Sequence, residues 1–163
     1  MKLKKISTMK DVEKIGSFFS QIFEDIAFED LDCFIKSITG QHSLNKLEYY
    51  LGYENMEIVG ISGIYADNNN ECWLGWFGVR PEYRRKGYAT TILEIQLKMM
   101  KDYGFKVCRL YTDEIINKNA INLYIKKGFY KDNIYKKNII TMSKALDNVT
   151  IPSVWTGKPL GFD

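Results

Sequence analysis

Apolar positions along the chain change their spacing several times, and each change marks an element. Between residues 12 and 26, Val12, Ile15, Phe18, Phe19, Ile22, Phe23 and Ile26 recur every three or four positions. That spacing predicts an amphipathic helix, with Thr8 or Asp11 supplying the side-chain oxygen that starts it. Residues 2–6 read as a short strand before it, and residues 29–38 as a second short helix. Three apolar runs follow, over 47–53, 58–65 and 72–79, separated by the polar turns at 54–57 and 67–70; they predict an antiparallel meander. A basic loop over 80–86 interrupts. Residues 88–103 then predict a helix that buries Ala89, Ile92, Leu93, Leu97 and Met100 and closes at Gly104. A strand over 106–112 comes next, and a helix over 119–127 carries Ala120, Leu123 and Tyr124 and stops at Gly128. The alternating stretch 129–142 can supply a last pair of strands.

Strands joined by helical crossovers after an antiparallel start predict an α/β fold with a mixed, mostly antiparallel sheet flanked by helices. No repeat and no Ser/Gly or Pro-rich linker divides the chain, so residues 1–144 are expected to form one domain. Residues 145–163 form an irregular tail. Its Val154, Trp155, Leu160 and Phe162 predict that it packs on the domain.

Composition narrows the function classes. An aromatic share of 14% in 163 residues is too high for a disordered chain. No uncharged stretch approaches the roughly 18–20 apolar residues of a membrane span, and the basic start Met1-Lys2-Leu3-Lys4-Lys5 runs into polar residues instead of a secretory apolar core. A cytoplasmic protein with no membrane partner is expected. The net charge of +3 is small for a nucleic-acid binder. A nucleic-acid reading would rest on Arg80, Arg84, Arg85 and Lys86 with Tyr83 and Tyr88 as stacking rings, and no nucleic-acid partner is expected from so short a basic loop. Cys33, Cys72 and Cys108 are far apart, without metal-ligand spacing, and read as reduced thiols, the last two as packing residues.

The sharpest local signal is Val79-Arg80-Pro81-Glu82-Tyr83-Arg84-Arg85-Lys86-Gly87-Tyr88-Ala89: a strand end, a basic loop, a glycine, then a helix opening on small residues. The first N–H groups of such a helix lack acceptors and lie at the positive end of its dipole, where a phosphate or pyrophosphate finds donors. Arg84, Arg85 and Lys86 add cations around that spot. The plain alternative is a solvated basic loop with Gly87 as its turn. Neither a Walker loop nor a dinucleotide fingerprint is present.

Arg84-Arg85-Lys86-Gly87-Tyr88-Ala89 resembles the Gln/Arg-x-x-Gly-x-Gly/Ala acyl-CoA pyrophosphate loop of the GNAT superfamily of N-acetyltransferases. Further on, Asn117-Lys118-Asn119-Ala120-Ile121-Asn122-Leu123-Tyr124-Ile125-Lys126-Lys127-Gly128-Phe129 resembles that superfamily's Asn-x-x-Ala-x-x-Leu-Tyr-x-x-x-Gly-Phe segment. Both stand in the family's order, with one helix and one strand between them, and the likeness covers about residues 2–142. The resemblance implies acetyl-CoA as cosubstrate and direct transfer of acetyl to a primary amine of a small molecule or peptide. It also implies a fold whose central strands splay to admit the pantetheine arm, with Phe77 and Val79 offering main-chain groups, Asn117 bonding the arm and Tyr124 as general acid. A CoA-binding module without turnover is the alternative, and a homodimer is left open.

The residues permit these roles and also plainer ones. Gly75 and Gly78 suit a bulge or a close ligand, or they only make room for Trp73 and Trp76. Tyr124 can protonate a leaving thiolate or be a core tyrosine; Asn117 can hold a ligand, cap a helix, or both. For the base, Glu71 shares by alternation a face with Trp73 and Phe77, or is only a turn carboxylate beside Asn70. His42, the single histidine, has no nucleophile motif near it and reads as a surface or lid residue. Glu24, Asp25, Glu29, Asp30 and Asp32 make the region before residue 33 acidic, as an attractor for a cationic amine or as a solvated helix face.

Overall fold

A computed structural model describes residues 1–23 and 31–162. The capping signal at residue 8 is used: Thr8 Oγ1 accepts from the Asp11 N–H, and Asp11 Oδ2 accepts from Ser7 and Thr8 N–H at 2.8 and 3.2 Å. Burial pushes the Asp11 carboxyl up, but those hydrogen bonds prevail and hold it below its usual range. Helix α1 (Met9–Ile22) thus starts one turn before the apolar stripe. After α2 (Asp32–Thr39), strand β2 (Lys46–Glu54) pairs with β1 (Lys2–Lys5) and with β3 (Glu57–Ala66), which pairs with β4 (Glu71–Val79). Helix α3 (Tyr88–Asp102) leads to β5 (Val107–Asp113), and α4 (Lys118–Lys126) to the hairpin of β6 (Tyr130–Lys136) and β7 (Ile139–Ala145).

The seven strands form one sheet in the order β1-β2-β3-β4-β5-β7-β6. Every neighbouring pair is antiparallel except β4 and β5. One face carries α1 and α2, whose Ile15, Phe18, Phe19 and Phe34 are buried against Tyr49, Leu51 and Ile61. The other carries α3 and α4, with Leu93, Met100 and Tyr124 buried against Ile64, Leu74 and Leu110. Apolar burial on both faces explains why the central strands read as nearly continuous hydrophobic runs.

Two irregularities shape the middle of the sheet. The parallel pairing of β4 with β5 lasts only for Glu71–Val107, Cys72–Cys108 and Trp73–Arg109, although β4 runs on to Val79 and β5 to Asp113. Beyond that point β4 stays bonded to β3 and β5 to β7, so the sheet is closed at one end and split at the other. The register of β3 on β4 also jumps from Ile61–Gly78 to Gly63–Gly75, setting Trp76 and Phe77 opposite Ser62 alone, with Trp76 at φ +35°. This bulge reverses the alternation of side chains. Trp76 stays with Trp73 on the α1/α2 face, against Phe19 and Phe23 at ring distances of 5.1 and 5.0 Å, while Phe77 turns to the α3/α4 face. The expectation that Glu71, Trp73 and Phe77 share one face is therefore corrected. Next to the bulge, Gly78 admits the end of α1: a Cβ there would lie 2.3 Å from Ile22 Cγ2.

Candidate active site at the split in the sheet

The open end of the split meets the start of α3. After Val79 the chain turns through a short 3-10 segment, Pro81–Tyr83, anchored by Arg80, whose Nη1 donates to the Ile58 carbonyl at 3.1 Å and whose Nη2 pairs with Glu82 at 2.8 Å. Arg84 folds back so that Nε donates to the Val79 carbonyl at 2.9 Å, tying the loop to the end of β4. Arg85 at φ +63° and Gly87 at φ +84° are both left-handed, and the chain then enters α3. Among the described residues no side chain caps this helix, so the N–H groups of its first turn face outward without acceptors. Arg84, Arg85, Lys86 and Gly87 are exposed around them, Tyr88 and Ala89 half-buried. A Cβ on Gly87 would meet nothing within 4 Å, so the left-handed backbone, not crowding, is what calls for glycine.

Along the banks of the split, main-chain groups of β4 lack a β5 partner. Arg80 N–H donates to the Val59 carbonyl on the β3 side. Because successive amides along a strand point to opposite edges, the Val79 N–H faces the split. Below the bulge, the Phe77 ring lies 6.0 Å from that of Tyr124, which in turn lies 5.7 Å from Phe129. Tyr124 is thus held under the split by packing, at 6% exposure, and its hydroxyl makes no hydrogen bond among the described residues. Burial raises its phenol well above the usual value, so it stays protonated throughout the neutral range. Asn117 occupies the N-cap position of α4, yet its side chain makes no capping bond; Nδ2 donates instead to Thr112 Oγ1 at 3.0 Å, at the end of β5.

Glu71 lies elsewhere, at the closed end. Its carboxylate receives both Arg109 Nε and Nη2 at 2.9 Å, a bidentate pair. Arg109, 1% exposed, also donates to Ser143 Oγ and to the Ser153 carbonyl, each at 2.8 Å, and lies 3.6 Å from Asp132. Burial pushes the Asp132 carboxyl up, against the opposing hydrogen bond from Ser143 and the charge of Arg109. Glu71 is therefore neither a solvated turn carboxylate nor positioned for proton abstraction in the split, and the base assignment is withdrawn. Glu24, Asp25, Glu29 and Asp30 lie outside the described residues. His42 is half-buried, with Nδ1 accepting from the Leu44 N–H at 3.2 Å, while Cys72 and Cys108 are buried. The glycines Gly75 and Gly78 do flank a bulge, one of the two readings of them, but two things escape sequence reading: the faces to which that bulge sends Trp76 and Phe77, and the buried Arg109 of β5.

The sequence and the fold have counterparts in known proteins. A model described as the acetyltransferase (GNAT) family matches residues 13–129. The beta-lysine N(6)-acetyltransferase of Methanococcus maripaludis is 29% identical over 129 residues, covering 77% of this chain and 44% of that protein, so the chain spans less than half the length of this curated relative. In fold, the chain is similar to the ribosomal-protein-S18-alanine N-acetyltransferase of Escherichia coli, with a TM-score of 0.72 at 16% identity over 91% of this chain and 96% of that one. It is also similar to the PaiA N-acetyltransferase of Thermoplasma acidophilum in complex with coenzyme A, with a TM-score of 0.67 at 19% identity over 89% and 99% of the two chains. The noncatalytic alternative finds no support among them.

Proposed function

The chain belongs to the acetyltransferase (GNAT) family, and we propose that it is an acetyl-CoA-dependent N-acetyltransferase that acetylates a primary amine of a small lysine-like molecule in the split between β4 and β5. The observation that carries this reading is convergence. Unpaired N–H groups at the start of α3, the unpartnered edge of β4 and the Tyr124 phenol all border one opening.

Each need of the reaction then has a group. The pyrophosphate of acetyl-CoA takes the first-turn N–H groups of Tyr88 and Ala89 over the left-handed Gly87, with Arg85, Lys86 and the terminal nitrogens of Arg84 as cations. Phe77 and Val79 offer main-chain groups to the pantetheine and thioester, Asn117 bonds the arm from the β5 side, and the Val79 N–H donates to the oxygen that gains charge as the amine attacks. As the C–N bond forms and the C–S bond breaks, Tyr124 passes its proton to the departing sulfur, and the attacking nitrogen sheds its extra proton to water. Between free groups, phenol at ~10 and thiol at ~8.5, full proton transfer is uphill by roughly 2 kcal/mol. Burial of Tyr124 makes it more so, and the phenol regains its proton from solvent as CoA leaves. With Glu71 paired to Arg109, the acceptor ammonium loses its proton to water before attack.

The lysine-like acceptor draws on the name of the Methanococcus relative and on the acidic residues between 24 and 32. A panel of β-lysine, L-lysine, spermidine and an alanine-initiated peptide, assayed by CoA release, tests it. Faster turnover of a lysine-type amine is expected, whereas preference for the peptide would move the acceptor to protein N-termini.

A further inference from the structure

The tail after β7 follows a defined path. Tyr130 Oη donates to the Pro152 carbonyl at 3.3 Å, and Arg109 holds Ser153 through its carbonyl at 2.8 Å and its Oγ at 3.2 Å. The Trp155 ring stands edge-on to Trp73 at 4.9 Å and lies 5.3 Å from the Arg109 guanidinium. The tail then crosses to β3, where Tyr65 Oη donates to the Leu160 carbonyl at 2.6 Å, and returns so that Tyr111 Oη reaches the Gly161 carbonyl at 3.3 Å. Phe162 ends against two rings, Tyr111 of β5 and Tyr135 of β6, each at 5.4 Å.

Its position relative to the split matters. Trp73 and Arg109 are the last β4–β5 pair before the strands part, and Tyr111 is two residues further along β5, on the same face and inside the opening. The opposite face is filled by Phe77, Tyr124 and Phe129. A group in the split is therefore reached from the α1/α2 face, the face the tail covers.

We propose that the tail is a strap forming the acceptor-side wall of the active site, with Phe162 as a residue that selects the amine. Trp155 closes the apex of the split, and Phe162, braced by Tyr111 and Tyr135, limits how far an acceptor extends toward that apex and keeps water from the thioester. Aromatic rings suit this wall, because their faces attract an alkylammonium that lies against them. The inference rests on the acetyl-transfer reading above.

The test uses Phe162→Ala, with Tyr135→Ala as a second variant that removes one of its two braces while leaving the strap itself intact. Three readouts are taken on the full chain: the thermal shift produced by acetyl-CoA, acetyl-CoA hydrolysis without amine, and KM for whichever of β-lysine, L-lysine or spermidine the unmodified protein acetylates. Both variants should keep the acetyl-CoA shift, hydrolyse acetyl-CoA about tenfold faster as water enters, and raise the amine KM about tenfold, the order set by losing one aromatic contact at a binding surface. Hydrolysis and amine KM unchanged in both variants would overturn the strap, as would a loss of the acetyl-CoA shift in the variants alone, which would make Phe162 a stability element. No acetyl-CoA shift in the unmodified protein would instead remove the acetyl-transfer reading and the strap with it. Should none of the three amines react, the hydrolysis readout still decides.

Discussion

Replacing Tyr124 by Phe separates chemistry from binding with little structural disturbance. The ring contacts to Phe77 and Phe129 survive the change, and the hydroxyl has no hydrogen-bond partner among the described residues to lose, so folding stability should hold. In the proposed mechanism, what is removed is the donor to the departing sulfur. Without it a thiolate must leave unprotonated in a cleft walled by apolar rings. A hydrogen bond to a charged group is worth about 1.5–3 kcal/mol, and general acids contribute about 10²–10⁴ in rate; the two ranges meet near 10², the fall expected in kcat. Stopped-flow or continuous detection of free CoA measures it, and the thermal shift by acetyl-CoA shows whether cofactor affinity is retained. A thioester whose thiol has a much lower pKa needs no proton on leaving, so the deficit of the variant should shrink with such a donor. An unchanged kcat, or a deficit equal for both thioesters, would refute the role given to Tyr124.

Gly87→Val forces a β-branched residue to φ +84°, and acetyl-CoA affinity should fall about tenfold or more by calorimetry; equal affinity would remove the loop from the binding site. Arg109→Leu leaves the Glu71 and Asp132 carboxylates without their cation, at about 3–5 kcal/mol, a fall of roughly 6–20 °C in thermal midpoint. Glu71→Gln should lower stability in the same direction while sparing the pH dependence of turnover, which a catalytic base would not. The raised phenol of Tyr124 stays neutral beyond its ordinary value, so the donor persists as pH rises, while the acceptor amine, at ~10.4 when free, gains its reactive neutral form. kcat/KM should therefore climb about tenfold per pH unit from 6 to 9; a plateau near neutrality would reveal a base on the protein.

Much of this architecture is legible in the sequence because it follows from local periodicity. The stripe Val12, Ile15, Phe18 and Phe19 announces α1, Thr8 and Asp11 its start, and Gly87 the entry to α3. What local patterns hide is whatever depends on a partner far along the chain. Glu71 alternates correctly with Trp73, but its partner Arg109 lies 38 positions away, and only the parallel register brings them together. The glycines suggest the bulge but not its effect: one extra residue in an apolar strand changes neither composition nor hydrophobicity, yet it sends Phe77 to Tyr124 and sets Trp76 beside Trp73. Asn117 sits where a cap is expected, but its side chain turns to Thr112 because β5 ends alongside it.

Amide hydrogen exchange with and without CoA tests most directly the claim that the cosubstrate lies in the split with its phosphates on α3. Slowed exchange at Val79 and across Gly87, Tyr88 and Ala89, with the edge strand β1 unaffected, is the predicted result. Protection confined to other segments, with these amides exchanging as in the free protein, would contradict it.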